Sequence, residues 1–236
     1  MSAPGNRLLA ALPPAELETL RPHLEGVELE QRQGLFEPAM PIPYVYFPET
    51  AVISLTSILR DGATVEIGTT GREGMVGLPV FLGENVGTVR AFAQIPGTAA
   101  RMESGAFARL AGASAVFHEL LLRYTHAFLT QVAQTAACNG AHLMEQRCAR
   151  WLLMTHDRVE GDEFPLTHEF LAYMLGVRRA GVTLAMGGLQ DAQLVRYVRG
   201  RVTVADRAGL ERVSCECYAV VRAQYDRLLR GGSVRS

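Results

Sequence analysis

The chain contains no lysine; all 23 basic residues are arginine. Arginine binds phosphate well and bidentately, but a skew this complete reflects genome composition rather than selection for binding. Histidine is missing between Val27 and Met102. That argues against a metal-dependent cupin-type enzyme in the first half, which would need two or three histidines and an acid on neighbouring strands. No phosphate-cradling glycine loop, H-E-x-x-H helix or nucleophile elbow occurs. No catalytic residue is assigned, and the chain is not expected to be an enzyme. No apolar run approaches the length of a membrane span. The N-terminus, MSAPGNRLLAALPPAELETL, is too polar and proline-broken for a secretory signal. The expectation is a cytoplasmic protein without a membrane partner.

Cysteine is scarce: Cys138, Cys148, Cys215 and Cys217, with none earlier. Their spacing fits neither a zinc finger nor an iron–sulfur motif. Cys215-Glu216-Cys217 is open to a redox or metal reading, but thiols packed in helices are favoured. No metal ligand set is assigned. A haem would need an axial ligand; His23, His118, His126 and His142 read instead as exposed or helix-face residues. No cofactor is identified.

What is present describes a globular chain of more than one domain: 236 residues, 48% hydrophobic and 20% charged. Net charge is −1, but residues 1–146 carry 9 arginines against 14 acids, and residues 147–236 carry 14 against 10. An acidic front and a basic rear fit a sensor joined to a nucleic-acid reader. Residues 6–24 read as helical, with Leu8, Leu9, Leu12, Leu17 and Leu20 as an apolar stripe. From Val27 to Arg101 short alternating runs (VELEQ, YVYFP, AVISLTSIL, ATVEIGTT, VRAFAQI, TAARM) are split by glycine, proline and an Asp61-Gly62 turn. They suggest a jelly roll or barrel. Residues 103–112 read as a short helix and residues 114–141 as a long one. Phe117, Leu121, Tyr124, Phe128 and Val132 recur every three or four residues along it. Pairing this stripe with a second copy as a coiled coil would bury about 1.5–3 kcal/mol per side chain before entropic costs. The expected domains are 1–113 (sensor), 114–145 (dimerisation helix) and 146–236 (reader).

The most specific segment is THEFLAYMLGVRRAGVTLAMGGL, residues 167–189. Phe170, Leu171, Met174 and Leu175 keep helical spacing, and Gly176 ends that helix. Val182, Leu184, Ala185 and Leu189 form one side of a second helix that opens with Arg178 and Arg179. This is a helix-turn-helix, whose second helix reads the major groove from its N-terminal end. RYVRGRVTV follows as a hairpin, making a winged helix. Its Arg196, Arg199 and Arg201 can meet phosphates beside the groove. The candidate DNA-contacting set is Thr167, His168, Arg178, Arg179, Gly181, Thr183, Arg196, Arg199 and Arg201. Two-fold pairing would place two such readers on half-sites about 34 Å apart.

A β domain, a long helix, QRCARWLLMTHDRV, then the helix-turn-helix and wing: in this order the chain resembles the Crp/Fnr family of bacterial transcription regulators over almost its whole length. The resemblance implies an α+β architecture. Its parts are an N-terminal cyclic-nucleotide-binding-like jelly roll, a dimerising helix and a C-terminal winged helix. It also implies homodimers, double-stranded promoter DNA and RNA polymerase as partners. Arg179 falls on the family's first base-reading arginine. The glutamate and second arginine of that pattern fall on Ala180 and Leu184, so a different operator is expected. In the sensor segment GMVGLPVFLGENVGTVRAFA, Gly77 and Leu78 match the family's ribose-binding turn, but Met75 replaces its glutamate. Asn85 and Val86 replace the Arg-Ser/Thr pair that holds a cyclic phosphate. With Val89, these are the candidate effector-pocket residues. An unpaired buried phosphate is costly, so cyclic AMP is not expected and the effector is unknown. The alternative is a sensor or interaction module with a degenerate helix-turn-helix and no specific DNA target.

Overall fold

The computed structural model describes residues 5–229. It divides into two compact units: the described residues up to 55, residues 69–130 and the described residues from 223 onward form the first, and residues 56–68 and 131–222 the second. One of the boundaries between them falls inside the long helix, between Thr130 and Gln131, and the stretch 56–68 of the first half belongs to the second unit.

The chain enters through α1 (Arg7–Ala10), α2 (Pro14–Leu20) and a 3-10 turn (Arg21–His23). One helix over 6–24 was the expectation. The Pro13-Pro14 pair breaks it, because a proline nitrogen cannot donate to the preceding turn. The strands follow: β1 (Glu25–Leu29), β2 (Gly34–Phe36), β3 (Tyr44–Pro48), β4 (Val52–Ile58), β5 (Thr64–Thr70), β6 (Arg90–Ile95) and β7 (Gly97–Glu103), with α3 (Leu78–Phe81) before β6. They form two sheets of order β1-β7-β3 and β2-β6-β4-β5. Sequence neighbours are thus often separated, as in a jelly roll. β7 pairs antiparallel with both β1 (Glu25↔Arg101) and β3 (Tyr44↔Glu103). The Asp61-Gly62 turn closes β4–β5 as its sequence predicts, with Gly62 at φ 84°.

α4 (Ser104–Ala113) and α5 (Ala115–Ala141) complete the front half. Here the structure corrects the expected dimer stripe. Phe117, Leu121 and Tyr124 are 0–1% exposed within the chain itself. Phe117 meets Phe107 edge-on at 5.8 Å, and the Tyr124 hydroxyl donates to the Met75 carbonyl at 2.6 Å. Gly74 is needed there: a Cβ would lie 2.4 Å from the Tyr124 ring. Phe128 and Val132 are half-buried. A stripe large enough to cover a β domain was spent on that domain.

The second unit continues with α6 (Met144–His156), β8 (Glu163–Pro165), α7 (His168–Leu175), α8 (Arg179–Asp191), β9 (Val195–Val198), β10 (Arg201–Val204), α9 (Arg207–Val213) and α10 (Glu216–Leu229). The sheet order is β8-β10-β9, so the wing has a third strand that the sequence reading did not include. α6 is the core helix of this unit, with every residue from Arg147 to Thr155 buried.

Because Leu121 is fully buried, Leu121→Ala is expected to lower unfolding free energy by about 2–5 kcal/mol. Chemical denaturation checks this; a loss below about 0.5 kcal/mol, typical of surface positions, would contradict its assignment to the core.

Candidate nucleic-acid interface

α7 starts at Thr167, whose hydroxyl accepts from the Phe170 amide at 3.1 Å, an N-cap that satisfies one orphan donor. It ends at Gly176, whose φ of 63° turns the chain back. The Arg147 guanidinium donates to the Leu175 carbonyl at 2.6 Å, satisfying an acceptor at the end of α7. α8 then buries Val182, Ala185, Met186 and Leu189. With these inside, its other face is committed to solvent.

That face opens with Arg178 at the N-cap and Arg179 at the first helical position, both exposed. Neither has an ion-pair or hydrogen-bond partner among the described residues. Ala180 and Leu184 continue the bare surface, Leu184 at 81% exposure; Thr183 is exposed but its hydroxyl is engaged by His168, and Gly181 is half-buried. The first-turn amides of α8 have no side-chain cap, so amide dipoles and two guanidinium groups share one end of the helix.

His168 is not part of the free surface. Its Nδ1 lies 3.1 Å from the Thr183 hydroxyl, and its ring stacks on Tyr197 at 4.4 Å. Burial, then the charge of Arg179, pushes its pKa below the usual histidine value. It joins α7, α8 and the wing. Thr167 is exposed beside it.

In the wing, Arg201 pairs with Val198, leaving Arg199-Gly200 as a two-residue loop. Their φ values, 49° and 78°, are those of a type I′ turn. Asparagine or glycine is the comfortable residue at the first position, so an arginine there is held against its backbone preference. Arg196 and Arg199 are exposed and without ion partners among the described residues. Arg201 differs: its guanidinium is paired with Glu163 of the neighbouring strand β8. No acid lies between Ala192 and Ala205 in sequence, so only the cross-strand register reveals this pairing.

The candidate effector residues do not gather round one cavity. Met75 is buried and its carbonyl is taken by Tyr124. Val45 blocks any side chain at Gly77, 2.9 Å from where its Cβ would be. Leu78 and Val89 are half-buried, whereas Asn85 and Val86 are exposed. The Asn85 and Gly87 carbonyls accept from the Ile42 and Ala39 amides at 2.8 and 2.9 Å. A cleft of about 390 Å³ takes in Asn85 but none of the other five, and is lined also by Ile42, Val80, Glu84 and Glu103. Glu103 caps α4, and its bonds to the Gly105 and Ala106 amides hold its carboxyl below the usual range.

A second cluster was missed by the sequence reading. Cys138, His142, Cys215 and Cys217 offer ligand atoms that all lie within 4.8 Å of one another. Cys148 stands apart from this group, a packing thiol pushed up to about 12 by burial.

Residues 146–213 match the model of the Crp-like helix-turn-helix domain. No curated protein matches the sequence. Among solved structures, FixK2 from Bradyrhizobium japonicum aligns with TM-score 0.70 at 16% identity, covering 81% of this chain and 98% of its own. A Crp/Fnr-family transcriptional regulator from Eubacterium rectale aligns at 0.68 and 17% identity, covering 87% and 96%. The CRP-family regulator TTHB099 from Thermus thermophilus aligns at 0.66 and 18%, covering 80% and 96%. Residues 146–213 are thus a Crp-like helix-turn-helix domain, set in a chain with the fold of the Crp/Fnr transcription regulators.

Proposed function

We propose that this chain is a homodimeric, sequence-specific transcription regulator that reads promoter DNA with α8 and answers to an effector other than a cyclic nucleotide. The observation that carries the reading is the bare N-terminal end of α8. Two unpaired guanidinium groups project from a helix whose other side is locked into the domain. Arg179 is assigned to a guanine edge and Arg178 to a base or phosphate. The apolar Ala180 and Leu184 suit thymine methyl groups, which differs from the arginine- and glutamate-based pattern implied by the resemblance. Arg196 and Arg199 are assigned to phosphates, which fix register without reading sequence.

The dimer seam is assigned to the outer side of α5. Leu122, His126, Leu129, Ala133, Ala136 and Gly140 follow a strict 4-3 spacing and all are exposed. Leu122 and Leu129 are 51% and 58% exposed, high for leucines in a folded chain. A 4-3 repeat is the seam of a helix pair, and small residues at its C-terminal end allow close approach. The partner is a second copy, because a two-fold axis presents two copies of α8 to one DNA face.

Against a cyclic nucleotide stand Met75, Asn85 and Val86 at the three polar positions of the family pattern, the Asn85 and Gly87 carbonyls already taken by the Ile42 and Ala39 amides, and the carboxyl of Glu103, held below its usual range, in the nearby cleft.

Arg179→Ala is expected to cost about 1–3 kcal/mol on a selected site and to relax preference at one base pair. Arg199→Ala should weaken selected and random DNA alike and lower the salt slope by about 1. Arg201→Ala, already paired with Glu163, should cost less than Arg199→Ala. Fluorescence anisotropy on both DNAs decides; equal loss on selected and random DNA for Arg179→Ala would contradict base reading. No binding to any DNA would leave a sensor with a degenerate helix-turn-helix.

Leu129→Asp is expected to give folded monomers in sedimentation, since like charges would face each other across the seam. An intact dimer would place the interface elsewhere. Calorimetry of the full chain with cyclic AMP and cyclic GMP at millimolar concentration should show no binding heat. Saturable binding would overturn the effector assignment.

A further inference from the structure

A cysteine and a histidine far apart in sequence from a C-x-C pair need a reason to converge on it. Cys138 lies on the last turn of α5, and His142 follows four residues later with its amide still bonded to the Cys138 carbonyl at 3.2 Å. That helical spacing puts both side chains on one face. Cys215 and Cys217 bracket the first residue of α10. The Cys138 and Cys215 sulfurs are 3.6 Å apart, and the Cys217 sulfur is 3.7 Å from His142 Nδ1. The three cysteines are 1–3% exposed.

We infer that Cys138, His142, Cys215 and Cys217 form a closed, tetrahedral site for a single thiolate-seeking dication, zinc being the best fit. Zn–S and Zn–N bonds of about 2.3 and 2.05 Å give tetrahedron edges of about 3.8 Å between sulfurs and about 3.6 Å between sulfur and nitrogen. The two distances above lie close to those edges. Three thiolates and one imidazole are a structural zinc set, and four protein ligands leave no open position for catalysis. An iron–sulfur cluster is a poorer fit, because its ligands bind different irons and must stand further apart than these do.

Two further features support the site. His142 Nε2 lies 3.2 Å from a Glu216 carboxylate oxygen. Donation there leaves the Nδ1 lone pair aimed at the sulfurs, the carboxylate–histidine arrangement that orients metal ligands. Three thiolates on a dication carry one net negative charge. Arg150, 7% exposed, acts electrostatically on both Cys138 and Cys217 and supplies the opposite one. The metal would clamp the segment leading into α6 to the start of α10. This inference is independent of DNA binding.

The test is the metal content of the full chain, expressed with zinc available and purified without chelator. About one zinc per chain is expected. Cobalt loaded after chelation under reducing conditions should give the visible bands of a tetrahedral, sulfur-rich ion. Cys215→Ser and His142→Ala should bring metal content near zero, while Cys148→Ser keeps it at about one. Glu216→Gln should retain the stoichiometry but weaken affinity about 10–100-fold. If Cys215→Ser does not fold, the wild-type content and cobalt spectrum still decide. A metal-free wild-type chain with free thiols, a Cys138–Cys215 disulfide, bound iron–sulfur, or metal retained by a folded Cys215→Ser variant would each overturn the assignment.

Discussion

The orientation of α8 is the constraint from which the functional reading descends. Val182, Ala185, Met186 and Leu189 are buried on one side, and burying four such side chains is worth several kcal/mol at about 25 cal/mol per Å² of apolar area. Rotating the helix to hide Arg178 and Arg179 would expose that apolar side and bury two charges. Gly176 and the Arg147 bond to the end of α7 fix where the second helix begins. His168, wedged between Thr183 and Tyr197, sets the wing against both helices. The free guanidinium groups are thus a consequence of packing.

α5 shows a different use of the same periodicity. A helix with a period of 3.6 can carry two apolar stripes. The richer one, with Phe117, Leu121 and Tyr124, lies in the core of its own unit. The sparser one, built on Leu122 and Leu129, is left outside. The aromatic bulk of Phe117 and Tyr124 goes to the interior, so the stripe that looks strongest in the sequence is the one not available to a partner.

Much of the architecture was legible because it is local. Six strands lie close to their alternating runs, Asp61-Gly62 makes its turn, and the long helix spans nearly the expected residues. Thr167, Gly176 and the Arg199-Gly200 loop act as their residue types require. What was not legible depends on distant residues meeting. β8 has three residues and no pattern of its own, yet it delivers Glu163 to Arg201. Cys138 and Cys215 are 77 residues apart, and only the i, i+4 spacing of Cys138 and His142 could have hinted at a shared face. The expected effector residues do not gather round one cleft for a related reason. A sequence can match a pattern while its backbone groups are already bonded to distant residues, as the Met75 and Asn85 carbonyls are to Tyr124 and Ile42.

The most direct measurement is selection of bound sequences from random DNA by the full chain, followed by footprinting on the enriched site. Two protected half-sites related by two-fold symmetry, with centres about 10 base pairs apart, are the expected result. Failure to enrich any sequence, or protection of a lone half-site by a single copy, would contradict the paired readers on which the account rests.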